Sequence, residues 1–313
     1  MSNTDKPVKV SWTGGKEYWT KRDPGIDLFM WRKSPKGKAS EFPVFFVHGS
    51  SMGSQPTFDL SVPGRPHSSV MDWFAERGFD TWCGDCEGYG RSSKHRDINF
   101  DIANGALDLA AMSEVILKET GAKKLLVYGI SSGALKAAVF AQNHPDRVER
   151  LALDAFVWTG EGSHTLDNRK KRLNEWLSMN RRPIDQAFVR SIFERDHPDT
   201  ADAATVQAFA DAILTLDDSV PTGTYVDMCS KLPVVDPKKI AAATMIMRGE
   251  FDGIASYDDL AAFFKELPNN DKQFTVMAGI SHASFQQKNY LMCYHILHSF
   301  FTQPAPIYRA DKH

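Results

Sequence analysis

A serine flanked by glycines is the most reactive feature of the sequence. Within residues 125–136 an apolar run ends at Gly129, Ser131 follows, and Gly133 precedes a helix-favouring stretch, which gives the pattern G-x-S-x-G. At a sharp turn from strand to helix, glycines avoid collision with the backbone and leave the serine hydroxyl exposed. Backbone N–H groups at the start of the next helix would face negative charge that develops beside it. The pattern predicts a nucleophile at Ser131, and a plain Gly/Ser turn is the alternative if partner residues are lacking.

A serine nucleophile needs two partners, and two later loops contain residues of the right type. The hydroxyl is nearly inert at neutral pH and requires a base, whose tautomer a carboxylate holds. Asp252 lies in a Gly-x-x-Asp loop after the penultimate predicted strand, and His282 lies in a Gly-Ile-Ser-His loop after the last. We expect His282 to take the proton of Ser131 and Asp252 to stabilise the imidazolium.

Each of these assignments has an alternative in the sequence. Glu250 and Asp154, which lies near the end of the predicted strand before the insertion, are the other candidate acids. His295 and His298 are the other candidate bases, but they lie on a predicted amphipathic helix, where we expect one to be packed and one solvated. A metal site at this histidine pair is disfavoured because no carboxylate lies nearby in sequence. Ser132 would be the nucleophile only if the turn were shifted.

A glycine-containing turn at residues 48–53, His-Gly-Ser-Ser-Met-Gly, follows another apolar run. Such a turn can aim backbone N–H groups into a cleft. We predict that the N–H groups of Ser50 and Ser132 hold the oxyanion, with Ser51 as the alternative to Ser50. In other enzymes each such donor contributes about 3–4 kcal/mol.

Strands and helices alternate along most of the chain, which predicts an α/β fold with a mainly parallel sheet covered on both faces. In an open parallel sheet, functional loops gather at the carboxyl ends of the strands. The reactive loops described above all follow predicted strands. The predicted strands are residues 8–12, 26–31, 42–47, 79–83, 123–128, 151–156, 243–247 and 273–277. The predicted helices outside the middle of the chain are residues 70–77, 102–120, 134–142 and 284–301.

Residues 157–237 differ in character, because they are polar, helical in period and without a buried strand. A structureless connection of this length is uncommon in a compact domain. We therefore predict a helical subdomain, with helices at about 172–179, 184–193 and 203–216, inserted into a core formed by residues 1–156 and 238–313.

The composition is that of an ordinary globular protein. The 313 residues are 42% hydrophobic and 24% charged, and the net charge of −2 gives no reason to expect nucleic acid or an anionic membrane as partner. No apolar run approaches the roughly 18 residues that span a bilayer, and the first ten residues lack the apolar core of a secretory signal. We expect a cytoplasmic protein with a small-molecule substrate and neither a cofactor nor a metal ion. A homo-oligomer is compatible with the sequence, which does not determine the oligomeric state.

The cysteines do not suggest a disulfide scaffold in a chain of this length. Cys83 and Cys86 form a C-x-x-C pair, but no second pair and no histidine pair at zinc-finger spacing accompanies it. We expect reduced, packed thiols.

Taken together, these motifs resemble the α/β-hydrolase superfamily, in its serine-nucleophile, esterase-like branch. The resemblance covers residues 25–302, and the insertion stands where such proteins carry a helical cap. It rests on His48-Gly49, Asp85-x-x-Gly88-x-Gly90-x-Ser92, Gly129-x-Ser131-x-Gly133, Gly249-x-x-Asp252 and Gly-x-Ser-His282, in that order.

The resemblance implies an eight-stranded, mostly parallel sheet with an all-helical cap, and a serine hydrolase that works through an acyl-enzyme. A small to medium ester with an apolar or aromatic acyl group is the expected substrate. Hydrolysis of a C–C bond, a lactone or an amide is the alternative, followed by a non-catalytic ligand receptor. The cap would roof the pocket, and residues expected to touch substrate are Tyr89, Trp158, Trp176, Phe188, Phe193 and Met228, unless they only join cap to core. Glu87 and Arg91 either contact a polar group of the substrate or form a surface ion pair.

Overall fold

The computed structural model describes residues 10–23 and 25–308. Its main sheet has eight strands in the order β1-β2-β4-β3-β5-β6-β9-β10, and every neighbouring pair from β4 to β10 is parallel. Only β2 runs against its two neighbours. The strands are β1 (Lys16–Lys21), β2 (Asp27–Lys33), β3 (Val44–Val47), β4 (Thr81–Gly84), β5 (Leu125–Ile130), β6 (Val148–Asp154), β9 (Ala243–Gly249) and β10 (Lys272–Met277). The predicted mostly parallel α/β fold is confirmed.

Helices cover both faces of this sheet, so its central strands β3 and β5 are apolar and buried along their whole length. Along β5, Leu125 and Val127 belong to one hydrophobic core, whereas Leu126 and Tyr128 belong to the core on the opposite face. The helices outside the insertion are α1 (Ser54–Phe58), α2 (Val70–Ala75), α3 (Ile102–Thr120), α4 (Ser132–Asn143), α10 (Tyr257–Glu266) and α11 (Tyr290–Thr302).

The long helix α3 shows how sequence sets these limits. The Asp101 side chain accepts the N–H of Asn104 at 2.9 Å and caps the first turn. Gly121 ends the helix with φ of 69°, in the left-handed region that glycine adopts readily. Both limits agree with the predicted helix at 102–120.

Two predicted elements are placed differently. The first strand of the described chain is β1, not the predicted strand at 8–12, whose first two residues lie outside the described part. In β1, Lys16–Lys21 pairs with β2 across the turn after Arg22. The last helix begins at Tyr290 rather than at Ser284, where the chain forms only a short 3-10 turn.

The insertion between β6 and β9 is mainly helical, but the expectation of an all-helical segment is wrong. It contains a two-stranded antiparallel sheet whose strands each end in proline. Short proline-containing strands carry no apolar alternation, so the sequence pattern did not reveal them. The elements are α5 (His164–Lys170), α6 (Leu173–Leu177), β7 (Arg181–Pro183), α7 (Gln186–Glu194), α8 (Ala203–Leu216), β8 (Ser219–Pro221) and α9 (Gly223–Ser230).

Buried polar bonds fasten the insertion to the core. Lys94 forms an ion pair with the buried carboxylate of Asp217 at 2.6 Å. The Asp227 carboxylate accepts the first N–H of α3, from Ile102, at 2.8 Å. These contacts hold the insertion over the carboxyl ends of the central strands. Among the described residues, no helix combines the length and the apolar character needed to cross a bilayer.

Candidate active site

Ser131 sits on a strained turn between β5 and α4. Its φ is 58° and its ψ is −126°, a backbone conformation that costs a non-glycine residue of the order of 1–3 kcal/mol. The turn leaves no room for side chains on either side. A Cβ at Gly129 would lie 2.4 Å from the Gly133 carbonyl oxygen, and a Cβ at Gly133 would lie 2.4 Å from the Val47 carbonyl oxygen. The two glycines therefore permit the turn that exposes the Ser131 hydroxyl.

Three side chains from separate loops form a continuous hydrogen-bonded chain. His282 Nε2 lies 3.0 Å from Ser131 Oγ, and His282 Nδ1 lies 3.0 Å from Asp252 Oδ1. An ionised carboxylate only accepts hydrogen bonds. The proton of neutral His282 is therefore on Nδ1, and Nε2 is left to accept the hydroxyl proton of Ser131.

The acid of this chain is held in its charged form. Asp252 is 2% exposed, and burial alone would raise the pKa of its carboxyl group. The charge and hydrogen bond of His282 outweigh burial, together with the Ile254 N–H, which donates to Oδ1 at 3.0 Å. The pKa of Asp252 is consequently below its ordinary value, so this carboxylate is ionised at neutral pH.

A buried arginine that the sequence analysis missed shapes the Asp252 loop. The Arg248 guanidinium donates to the carbonyl oxygens of Gly249 at 2.8 Å, Glu250 at 3.1 Å, Asp252 at 3.0 Å and Ala255 at 3.3 Å. It thereby gathers the backbone of the loop around one side chain. The available signal was a charged residue at the end of an otherwise apolar strand.

The alternative acids are engaged elsewhere. The buried carboxylate of Asp154 accepts hydrogen bonds from the hydroxyl groups of Tyr128 and Ser284. Burial raises the pKa of Asp154 to about 7, against the effect of those two hydrogen bonds. Glu250 accepts the N–H of Gly279 at 2.8 Å. Neither carboxylate is hydrogen-bonded to the imidazole.

The turn predicted to hold an oxyanion lies against Ser132. Ser50 Oγ donates to Ser132 Oγ at 2.7 Å, which ties the loop after β3 to the start of α4. Within residues 10–23 and 25–308, the backbone N–H groups of Ser50, Ser51 and Ser132 have no hydrogen-bond acceptor. The Tyr89 hydroxyl donates a hydrogen bond to the Ser50 carbonyl oxygen at 3.2 Å and so helps to hold the loop in place.

Asp196, which follows α7, adds a carboxylate beside the acid and the imidazole. Asp196, Asp252 and His282 each offer one atom that could bind a metal ion, and these three atoms lie within 4.8 Å of one another. Sets of this kind can hold a divalent cation. Both ring nitrogens of His282 are already hydrogen-bonded, so a cation would have to displace one of those bonds. Asp196 instead forms an ion pair with Arg195 at 3.4 Å.

Two cavities open beside this chain of side chains. One of about 20 Å³ lies against Ser131 and His282, and its wall includes Ser50 and Ser51. The other, of about 360 Å³, lies between helices of the insertion. Arg169, Arg195 and Tyr225 line both cavities.

A family model described as Serine aminopeptidase, S33, matches residues 64–289, well over half of the chain. The chain belongs to this family. It is therefore an α/β hydrolase, and solved structures agree.

Two of those structures show the fold at low sequence identity. E-2-(acetamidomethylene)succinate hydrolase is 18% identical, with a TM-score of 0.67 over 92% of this chain and 100% of that one. A malate-bound esterase from Thermogutta terrifontis is also 18% identical, with a TM-score of 0.64 over 92% of this chain and 98% of that one.

A curated relative matches in part. Lipase member M of Mus musculus is 23% identical in an alignment 165 positions long, which covers 48% of this chain and 38% of the relative. The chain thus spans well under half the length of that protein in the match.

The residues expected to touch substrate divide into two groups in the hydrolase. Trp176 and Phe188 line the larger cavity. Trp158 lines neither cavity, because its indole N–H donates to the Val235 carbonyl and its ring packs on Phe263. These contacts give Trp158 a packing role, and its contact with substrate stays a prediction.

Tyr89, Met228 and Phe193 are likewise buried and line neither cavity. Phe193 packs edge-on against Phe209 at 5.6 Å. An aromatic or sulfur-containing side chain in the insertion is equally suited to packing and to binding, so residue type did not separate the two roles.

Glu87 and Arg91 do not form a pair with each other. Glu87 is buried and forms ion pairs with Arg22 and Arg96, whereas Arg91 forms an ion pair with Glu17 nearer the surface. The open question about these two residues is thus answered by separate ion pairs, neither of which lies at the cavities.

The histidines and cysteines considered as alternative catalytic, metal-binding or redox residues are packed side chains in the structure. The His295 and His298 rings pack around Trp73, at 5.2 and 5.6 Å between ring centroids. Cys83 and Cys86 are buried free thiols, and burial raises the pKa of both.

Proposed function

We propose that the protein is a serine hydrolase that cleaves carboxylic esters through an acyl-enzyme on Ser131. The observation that carries this proposal is the hydrogen-bonded chain from Ser131 through His282 to Asp252, with 3.0 Å at each step. An alcohol, an imidazole and an ionised carboxylate in this order are what a serine nucleophile requires.

The proposed reaction proceeds in two halves. Ser131 Oγ attacks the ester carbonyl carbon while its proton passes to His282 Nε2, and the carbonyl oxygen becomes an oxyanion. The N–H groups of Ser50 and Ser132 would hold this oxyanion, and Ser51 is the alternative donor to Ser50. Collapse of the intermediate breaks the ester C–O bond, and the proton on His282 goes to the departing alkoxide.

Water then completes the cycle. His282 takes a proton from water, whose oxygen attacks the acyl carbon, and the returning proton releases Ser131 and a carboxylic acid. Asp252 remains ionised throughout and stabilises the imidazolium that forms twice in each turnover.

The ester bond is favoured among the bonds that a serine acyl-enzyme can cleave. The names of the relatives point in the same direction, since they include a lipase and an esterase. We also propose that residues 157–237 act as a cap, because Arg169, Ile192, Arg195 and Tyr225 of this segment line the cavity at Ser131.

A fluorophosphonate probe tests the proposal directly. We expect it to label the folded protein at Ser131, to inactivate hydrolysis of 4-nitrophenyl acetate, and to leave Ser131→Ala unlabelled. Ser178→Ala is the matched control, because Ser178 is an exposed serine of the insertion. Labelling elsewhere, or hydrolysis that survives in Ser131→Ala, would support a ligand receptor or another mechanism.

A further inference from the structure

Three arginines of the insertion meet at the entrance to the reactive serine. We call Arg169 of α5, Arg182 of β7 and Arg195 after α7 the arginine pocket. The guanidinium carbons of Arg169 and Arg182 each lie 4.3 Å from the centroid of the Tyr225 ring. Arg182 also donates to Ser51 Oγ at 2.8 Å, in the loop that carries the proposed oxyanion donors. The pocket thus joins the insertion to the oxyanion loop.

Two of the three arginines in the pocket have no carboxylate partner in the described part of the chain. Arg195 has Asp196 at 3.4 Å, but within the described part of the chain no carboxylate lies within 4.0 Å of a guanidinium nitrogen of Arg169 or Arg182. Arg182 is only 3% exposed. Surface arginines of this chain, in contrast, mostly have acidic partners, as Arg91 does.

Hydrogen-bond donors in the pocket are also unused. Arg169 Nη1 and Arg182 Nε are buried, and neither has an acceptor among the described residues. A buried charge without a partner is costly unless a ligand supplies the missing acceptor. A carboxylate or a phosphate would do so, since both accept two parallel hydrogen bonds from a guanidinium.

The location of the pocket relates it to the substrate. Arg169, Arg195 and Tyr225 line both the small cavity at Ser131 and the 360 Å³ cavity beyond it. A group bound by these residues would lie between the scissile bond and the rest of the substrate. An apolar acyl group, the expectation from sequence, would leave the guanidinium groups without a partner.

We propose that the substrate is an anionic ester whose carboxylate is held by the arginine pocket next to the scissile carbonyl, as in a half-ester of a small dicarboxylic acid. This inference rests on the proposed hydrolase function and adds the substrate class. Trp176 and Phe188, which line the larger cavity, would contact the apolar part of the same molecule.

Matched esters test the substrate class in the unmodified enzyme. Monomethyl succinate, glutarate and adipate are each compared with the methyl ketone isostere that replaces the carboxylate by an acetyl group. We expect kcat/KM to be about 30-fold or more higher for at least one half-ester than for its isostere, from the usual cost of removing one partner of a buried charge pair. Equal rates for all three pairs would overturn the inference and leave the proposed function intact.

Variants identify the pocket as the cause of this preference. We expect Arg169→Gln and Arg195→Gln, at the two arginines that line both cavities, to lower the ratio of half-ester to isostere kcat/KM toward one. Arg190→Gln, which removes an exposed arginine of α7, should leave the ratio unchanged. A ratio that is unaffected in both pocket variants, with folding verified by circular dichroism, would refute the assignment. Hydrolysis of these esters that persists in Ser131-labelled wild-type protein would instead contradict the proposed function.

Binding without turnover separates carboxylate from phosphate. Glutarate and inorganic phosphate are titrated calorimetrically into Ser131→Ala and into the same protein with Arg169→Gln. Binding of glutarate that is lost with Arg169→Gln supports the proposal. Binding of phosphate alone would contradict the carboxylate assignment, and binding of neither would contradict an anion site.

Discussion

Replacement of Asp252 by asparagine isolates the charge of the acid from its geometry. Asp252 Oδ1 accepts both the His282 Nδ1–H and the Ile254 N–H, and Oδ2 has no hydrogen-bond partner among the described residues. An asparagine with its oxygen at the Oδ1 position preserves both bonds. It removes only the negative charge that stabilises the imidazolium of the transition state, and it leaves a buried amide N–H₂ where Oδ2 was.

The size of this loss follows from the distance. Opposite unit charges 3.0 Å apart attract by about 5.5 kcal/mol at an effective dielectric constant of about 20. A loss of this size from the transition state lowers the rate by roughly 10⁴-fold, which agrees in order of magnitude with the corresponding change in other serine enzymes. We therefore expect kcat of Asp252→Asn on 4-nitrophenyl acetate to fall about 10⁴-fold.

Asp154→Asn is the matched control. The pKa of Asp154 is raised to about 7 by burial, so a substantial fraction of this carboxyl group is already uncharged near neutral pH. Its hydroxyl partners on Tyr128 and Ser284 can bond to a carboxamide as well. We expect kcat to stay within about fivefold of wild type. A loss in Asp154→Asn as large as in Asp252→Asn, or an Asp252→Asn enzyme within tenfold of wild type, would refute the reasoning, provided that both variants melt like the wild-type protein.

Three further predictions concern pH, backbone geometry and metal. Burial would raise the pKa of Tyr225, but the arginine pocket and Ser51 lower this pKa to about 7, so the phenolate forms above that pH and weakens anion binding. The ratio of half-ester to isostere kcat/KM should therefore fall as pH rises from 6 to 8 in the wild type and stay level in Tyr225→Phe. Parallel pH profiles of the two proteins would contradict this prediction. Gly133→Ala would place Cβ 2.4 Å from the Val47 carbonyl oxygen and should lower the free energy of unfolding, measured by urea denaturation, by at least about 2 kcal/mol. Gly37→Ala, with no atom within 4 Å of its Cβ, should change that free energy by less than about 0.5 kcal/mol, and equal effects would exclude the steric account. Dialysis against EDTA should leave ester turnover unchanged, because both ring nitrogens of His282 are hydrogen-bonded within the site. Loss of turnover that added zinc restores would instead assign a metal ion to Asp196, Asp252 and His282.

The sequence was informative about groups that lie on short loops at strand ends. Ser131, Asp252 and His282 each follow a strand of the parallel part of the sheet, so topology alone brings their loops to the same edge. The glycines at 129 and 133 were informative for a related reason, since local backbone geometry excludes any other side chain. These are properties of short segments, which a sequence pattern records.

The arginine pocket was not predicted because it depends on how the insertion docks. Arg169, Arg182 and Arg195 are separated by helices and by a strand, and nothing in their spacing indicates a common target. Their convergence requires long-range contacts such as the ion pair of Lys94 with Asp217. An adjacent pair of arginines followed by proline, Arg181-Arg182-Pro183, was the only local signal, and it resembles an ordinary solvated turn.

The sequence could not show which of the predicted substrate-contact residues line a cavity, for the same reason. Trp158 and Trp176 both belong to the insertion and have the same side chain. Trp158 packs against Phe263 of the core, whereas Trp176 lines the larger cavity. Which of two tryptophans reaches a cavity is decided by docking of the whole segment, and side-chain type carries no information about it.

The central claim is that Ser131 becomes acylated during turnover. The most direct measurement is to acid-quench the enzyme during hydrolysis of 4-nitrophenyl acetate and to locate the bound acetyl group by peptide mass spectrometry. We expect the acetyl group on the peptide that contains Ser131, with neither acetylation nor hydrolysis in Ser131→Ala. Hydrolysis that continues in Ser131→Ala, or an acetyl group carried by another residue of the working enzyme, would contradict the account.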